Sequence, residues 1–110
     1  MSYKIIASEN FEKGLKKLAK KYASLRQEIT ELIQNLKENP VQGTPIGKDC
    51  FKIRLAIKSK GRGKSGGARV ITCVFSLQEK VVLLSIFDKA EKENISAKEL
   101  SDLLDAIERT

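Results

Sequence analysis

Eight basic side chains crowd residues 48–69: Lys48, Lys52, Arg54, Lys58, Lys60, Arg62, Lys64 and Arg69, against the single acid Asp49. Their balance of +7 equals that of the whole chain, so the rest of the sequence is neutral in sum. Within the stretch lies the run Gly61-Arg62-Gly63-Lys64-Ser65-Gly66-Gly67. A glycine loop studded with cations suits a polyanion, and nucleic acid is the obvious one. The plainer alternative is a solvated hairpin loop, but charge kept for solubility is spread out rather than collected in one segment. The chain has no histidine and two cysteines, Cys50 and Cys73. This removes Ser-His and Cys-His catalysis, a four-thiolate zinc site and most other zinc sites. Chemistry must run on Lys, Arg, Asp, Glu, Ser, Thr or Tyr, and neither a cofactor nor a metal is expected.

Two apparent motifs fail on context. Gly61-x-Gly63-x-x-Gly66 has the letters of the dinucleotide fingerprint, which works only where a strand turns into a helix that meets the pyrophosphate. Here the glycines run into Arg69-Val70-Ile71-Thr72-Cys73-Val74-Phe75, a β-branched, apolar strand pattern. Gly63-Lys64-Ser65 would need a glycine five positions before Gly63 to be a phosphate-binding P-loop, and that position is Lys58. What remains is a basic connection between two strands.

The elements that must hold these cations follow from periodicity. Residues 3–7 read as a short strand. Ser8 is placed to cap a helix whose first turn carries Glu9 and Glu12. Phe11, Leu15, Leu18, Ala19 and Tyr22 then lie on one helical face. Ser24-x-x-Gln27 reads as a capping box opening a second helix with Leu25, Ile29, Leu32, Ile33 and Leu36 inward, stopped by Asn39-Pro40. The two form an αα-hairpin. Residues 41–49 read as a loop. Phe51, Ile53, Leu55 and Ile57 alternate with Lys52, Arg54, Ala56 and Lys58, a half-buried strand with a basic outer face. Residues 81–87 are almost continuously apolar, as in a central strand covered on both faces. Ser96-x-x-Glu99 caps a last amphipathic helix. The order is β-α-α-β-β-β-α, an α+β fold in one domain over residues 1–110. No apolar run is long enough for a signal peptide or a membrane span, so a cytoplasmic protein with reduced, buried cysteines is expected.

Three motifs in order resemble the RelE/ParE superfamily of bacterial toxins, closest to the HigB-like branch of RelE. They are Phe51-Lys52-Ile53-Arg54-Leu55, then Gly63-Lys64-Ser65-Gly66-Gly67-Ala68-Arg69-Val70-Ile71, then Leu84-Ser85-Ile86-Phe87-Asp88-Lys89-Ala90-Glu91-Lys92-Glu93-Asn94-Ile95-Ser96. The resemblance implies a small, twisted, mostly antiparallel sheet carrying the helical hairpin on one side. It implies a toxin that cleaves mRNA on the ribosome and is neutralised by a cognate antitoxin, reaching operator DNA only through an antitoxin complex, if at all. No membrane partner is implied. Arg69 matches the family arginine at the start of the third strand, Lys89 the basic residue after the last strand, and Arg54 and Lys52, loosely, the basic residues of the second. The tyrosine some members carry before the last helix is absent, with Ile95 nearest its place.

RNA cleavage without metal proceeds by attack of the 2′-OH on the adjacent phosphate. It needs alignment, charge stabilisation at the phosphorane and proton transfer. Arg69, Lys89 and Arg54 are the candidate catalytic residues. Lys52, Lys58, Lys60, Arg62 and Lys64 are the candidate RNA and ribosome contacts. If the strands begun by Arg69 and ended by Lys89 are antiparallel neighbours, the two residues converge at one edge of the sheet as exposed cations. Two other functions share these features: a ParE-like inhibitor that binds DNA gyrase without cleavage, and a non-catalytic nucleic-acid-binding module.

Overall fold

The computed structural model describes residues 2–61 and 66–108. The chain runs β1 (Lys4–Ala7), α1 (Glu9–Ala19), α2 (Leu25–Glu38), β2 (Thr44–Gly47), β3 (Cys50–Leu55), β4 (Ala68–Phe75), β5 (Lys80–Asp88) and α3 (Ala97–Glu108). Short 3-10 turns lie at Lys58–Lys60 and Ser76–Gln78. Among the described residues the strands form one five-stranded sheet in the order β1-β5-β4-β3-β2. β1 pairs parallel to β5, and the other neighbours are antiparallel.

The α+β expectation holds, with one strand more than periodicity indicated. β2 lies in the segment read as a loop. It is an edge strand, where the N–H that Pro45 lacks is not needed by the ladder. The connection to β3 is Lys48-Asp49, both with positive φ (55° and 61°). That is the backbone of a tight hairpin turn which Asn-Gly usually announces, and neither residue is present.

The helical hairpin covers one face of the sheet. Phe11, Leu18, Leu25, Ile29, Leu32 and Leu36 pack on Ile53, Val70, Leu83 and Ile86. α1 lies close on β5 at Gly14, where a Cβ would come within 2.9 Å of the Ile86 carbonyl oxygen. α3 covers the opposite face, with Leu100, Leu103, Leu104 and Ile107 on Ile71, Cys73, Val82, Leu84 and Phe87. β5 therefore has apolar neighbours above and below, as its continuous apolar run requires.

A bulge in β5 sets which residues reach each face. Ile71 opposes Ser85 and Thr72 opposes Leu83, leaving Leu84 as the extra residue. The Leu84 carbonyl accepts hydrogen bonds from Ser8 Oγ (3.2 Å) and Asn10 Nδ2 (2.9 Å) at the start of α1. After the bulge Phe87 faces α3 while Asp88 reaches the hairpin side, where it meets Tyr22.

Two of the three expected caps form. The Phe11 N–H donates to Ser8 Oγ at 3.1 Å, and Ser96 and Glu99 form the reciprocal box at 3.1 and 3.3 Å. Ser24 makes no cap bond. Its hydroxyl instead donates to Glu28 Oε1 (3.1 Å) and accepts from the Ser59 N–H (2.9 Å). Glu28 is buried and its other oxygen takes the Lys58 N–H at 2.7 Å. This start of α2 thus holds the chain leaving β3 rather than its own first turn.

Cys50 and Cys73 are buried, free thiols opposed directly across β3 and β4. Among the described residues no helix is long and apolar enough to cross a membrane.

Candidate nucleic-acid interface

The antiparallel register places Arg54 directly opposite Arg69, and Arg69 directly opposite Phe87. Directly opposed residues share a face, so the three form a row across β3, β4 and β5 on the α3 side. Lys52 lies two residues from Arg54 and therefore on the same face. Like charges facing each other across a ladder destabilise a sheet. The Arg54–Arg69 pair is such a local conflict, and it is offset where Arg69 meets an acid.

The end of β5 is tied to the start of β4. The Lys89 N–H donates to the Gly67 carbonyl at 3.1 Å. Gly67 has to be glycine: a Cβ there would lie 2.0 Å from the Leu55 carbonyl oxygen. Lys89 thus stands beside the row, as the strand argument expected.

Arg69 departs from expectation. It is not an exposed cation: only 1% of it is accessible. Its Nε and Nη2 reach Glu93 Oε2 at 2.9 and 2.8 Å, and its Nη1 donates to the Ala68 carbonyl at 3.1 Å. Burial pushes the Glu93 carboxyl up, but the hydrogen bond and charge of Arg69, with the charges of Lys89 and Lys52, outweigh it and hold the group below its ordinary value. Lys52 Nζ contacts the Asn94 side-chain oxygen and lies 3.5 Å from the Glu93 carbonyl. Arg54 is exposed.

The other expected contacts divide. Lys58 is exposed but lies in a 3-10 turn rather than on the outer face of the strand, because β3 ends at Leu55. Lys60 is drawn away from the row. Its side chain is 14% accessible, and its ammonium lies 2.6 Å from Asp88 Oδ1 and 2.9 Å from the Gly66 carbonyl. Arg62 and Lys64 lie outside the described residues.

Sequence reasoning missed the acids. Asp88 is 1% accessible. Its Oδ1 accepts from Lys60 and from the Ala90 N–H (2.9 Å), and its Oδ2 from the Tyr22 hydroxyl (2.7 Å). Burial alone would raise its pKa, but Lys60, Tyr22 and Ala90 together bring it down to about 2. The Tyr22 hydroxyl is raised in turn, first by its hydrogen bond to Asp88 and then by burial. Glu93 and Asn94 follow Lys89 in a run of alternating charge, which is the signal that could have placed them against the basic row.

Chemically, the row brings planar guanidinium and ammonium groups, donors suited to phosphate oxygens, onto one face, with Arg54 exposed and Arg69 covered by Glu93. Among the described residues no group of three or more His, Cys, Asp or Glu side chains could hold a metal ion.

A family model described as "RelE toxin of RelE / RelB toxin-antitoxin system" matches residues 4–109. None of the curated proteins matches the chain by sequence. Solved structures share its fold. A double arginine-to-alanine mutant of the E. coli toxin RelE in the free state is 20% identical, with 97% of this chain and 99% of that chain covered and a TM-score of 0.62. The isolated E. coli RelE toxin is also 20% identical, covering 96% and 99%, at 0.61. The RelBE2 toxin–antitoxin complex of Mycobacterium tuberculosis is 17% identical, covering 80% and 99%, at 0.58.

Proposed function

The chain belongs to the RelE toxin family, and from that premise we propose that it is a ribosome-dependent mRNA endonuclease acting in the cytoplasm. The observation that carries the reading is the cationic row: Arg54 opposite Arg69, Lys52 beside them on the same face, and Lys89 at the adjoining strand end. In the reaction the 2′-oxygen forms a bond to phosphorus and the bond to the 5′-oxygen breaks. The 2′-hydroxyl gives its proton to solvent water, and one proton reaches the 5′-oxygen. Arg69 and Arg54 stabilise the charge that grows on the non-bridging oxygens. The Lys89 ammonium serves the leaving oxygen. Lys52 and Lys58 hold flanking phosphates. Lys60 takes no part, because it is committed to Asp88.

A cognate antitoxin is the protein partner that family membership supports. Its site is the same face: an acidic segment lying over the row would exclude RNA by charge and bulk.

Induction of the chain alone should arrest translation and yield new mRNA 5′ ends in register with the reading frame. Intact mRNA beside blocked DNA gyrase would overturn the endonuclease and assign the ParE-like activity.

A further inference from the structure

Three consecutive residues after β5 cross the sheet one strand at a time. The Lys92 ammonium lies 4.7 Å from the centre of the Phe87 ring on β5. The Glu93 carboxylate lies on Arg69 of β4. Asn94 receives Lys52 of β3. Residues 89–96 thus form a band over the row. Its ends are fastened. At one end Ala90 and Glu91 bond to Asp88 at 2.9 and 3.0 Å. At the other, Ser96 caps α3, and between the ends Lys92 pairs with Glu99 at 2.7 Å. At its middle, charge attraction holds Glu93 to Arg69.

The Glu93 contact has the form of a bound anion. Two guanidinium N–H groups converge on one of its oxygens, and the side chain is 49% accessible although Arg69 beneath it is almost fully covered. A phosphodiester carries the same single negative charge and offers the same acceptor to a guanidinium fork. If Glu93 stayed in place, an incoming phosphate would sit against a carboxylate of like charge. Exchange of one anion for the other keeps the local charge balance.

We propose that Glu93 is a stand-in for the substrate phosphate: in the free chain the band closes the row, and a phosphodiester enters by displacing the Glu93 carboxylate from Arg69. This rests on reading the row as the RNA site, and it makes Glu93 a gating residue acting through Arg69 rather than a catalytic one.

The test compares wild type with Glu93→Gln, which keeps shape and removes charge at a half-exposed position. The probe is a short RNA made uncleavable by 2′-deoxy substitution. At low salt the variant should bind it roughly two- to fivefold more tightly, the range expected when a partly screened competing charge is removed. On ribosomes its KM should fall while kcat is kept. In wild type the probe should also move the Arg69 Nε–H resonance, which a purely structural role for Glu93 would leave in place. Equal or weaker binding by Glu93→Gln overturns the proposal, as does an unmoved Arg69 signal. So does loss of kcat in the variant, which would put Glu93 in the chemistry. Failure of the endonuclease reading looks different: tighter probe binding by the variant with no new 5′ ends from either protein leaves the gate standing on a site that binds RNA without cutting it.

Discussion

Two cations of the same basic stretch end in opposite situations on opposite faces of the sheet. Lys60 meets Asp88 under the helical hairpin, and Arg69 meets Glu93 under the band that leads to α3. Both acids are close to their cations, at 2.6 and 2.8 Å. They differ in what else holds the acid. Asp88 lies on a central strand, is 1% accessible, and has both oxygens satisfied by Lys60, Tyr22 and Ala90. Glu93 lies outside any strand or helix and is 49% accessible, with Arg69 converging on one oxygen. The first pair is a clamp that joins both ends of the glycine run, through Lys60 and Gly66, to the sheet and to the hairpin. The second covers the charge that the proposed chemistry needs. Ion pairs of similar length can therefore have unequal work, and burial of the acid distinguishes them.

Breaking the clamp should have the largest effect. Removing one partner of a buried ion pair leaves the other charged and unpaired, at a cost of about 3 kcal/mol. Asp88→Ala should lower the melting temperature by roughly 15 °C in a domain of this size, as read by thermal circular dichroism. A drop no larger than that of an exposed Asp102→Ala control would mean the pair is not a clamp.

The covered pair should show the converse. Arg69→Ala and Lys89→Ala should each reduce RNA cleavage by ~100-fold, the loss expected when one charge-assisted contact to a transition-state anion is removed. The fold should survive both changes, since Glu93 is already half in water and Lys89 is only partly covered. Arg69 is buried, so a melting curve must accompany its kinetics. Cleavage retained by a folded double variant would move the site elsewhere.

The sequence made one half of this contrast readable. Ala68–Phe75 and the apolar run of β5 announced their strands, and helical spacing announced the hairpin and α3. Alternation in β3 put Lys52 and Arg54 on one face, and strand polarity brought Lys89 to the start of β4. The acids were not readable in this way. Asp88 and Glu93 find their cations through a bulge and a return of the chain across the sheet, contacts that neither helical nor strand periodicity encodes. Lys60 looked like any other loop lysine because its partner is 28 residues away. β2 was hidden by Pro45 and by a tight turn built from Lys48-Asp49 instead of Asn-Gly. The Ser24-x-x-Gln27 box misled because Ser24 answers Glu28 and Ser59 instead.

Acid should sharpen the comparison further. The Asp88 carboxyl sits at about 2 in the folded chain against an ordinary 3.8. A depressed carboxyl stabilises the fold above its unfolded pKa, and that contribution fades as pH falls through 3.8 towards 2. The difference corresponds to about 2 kcal/mol. Urea unfolding of wild type should therefore lose this much more stability between pH 5 and pH 2 than Asp88→Asn does. Parallel curves for the two proteins would show that Asp88 is not the group responsible.

Salt should give the smallest and most selective difference. A charge half in water is screened over roughly a Debye length, about 10 Å at 0.1 M and about 3 Å at 1 M, whereas a buried pair is screened far less. The coupling between Arg69 and Glu93, measured by a double-mutant cycle, should fall by roughly half between 0.05 and 0.5 M salt. The coupling between Lys60 and Asp88 should hardly change. The Arg69 cycle is best read as the effect of Glu93→Gln on affinity for the uncleavable RNA, in the presence and absence of the Arg69 side chain, because that readout reports the gate rather than the fold. Were the two couplings equally insensitive to salt, Glu93 would be as firmly held as Asp88, and the row would be closed to RNA in the folded chain.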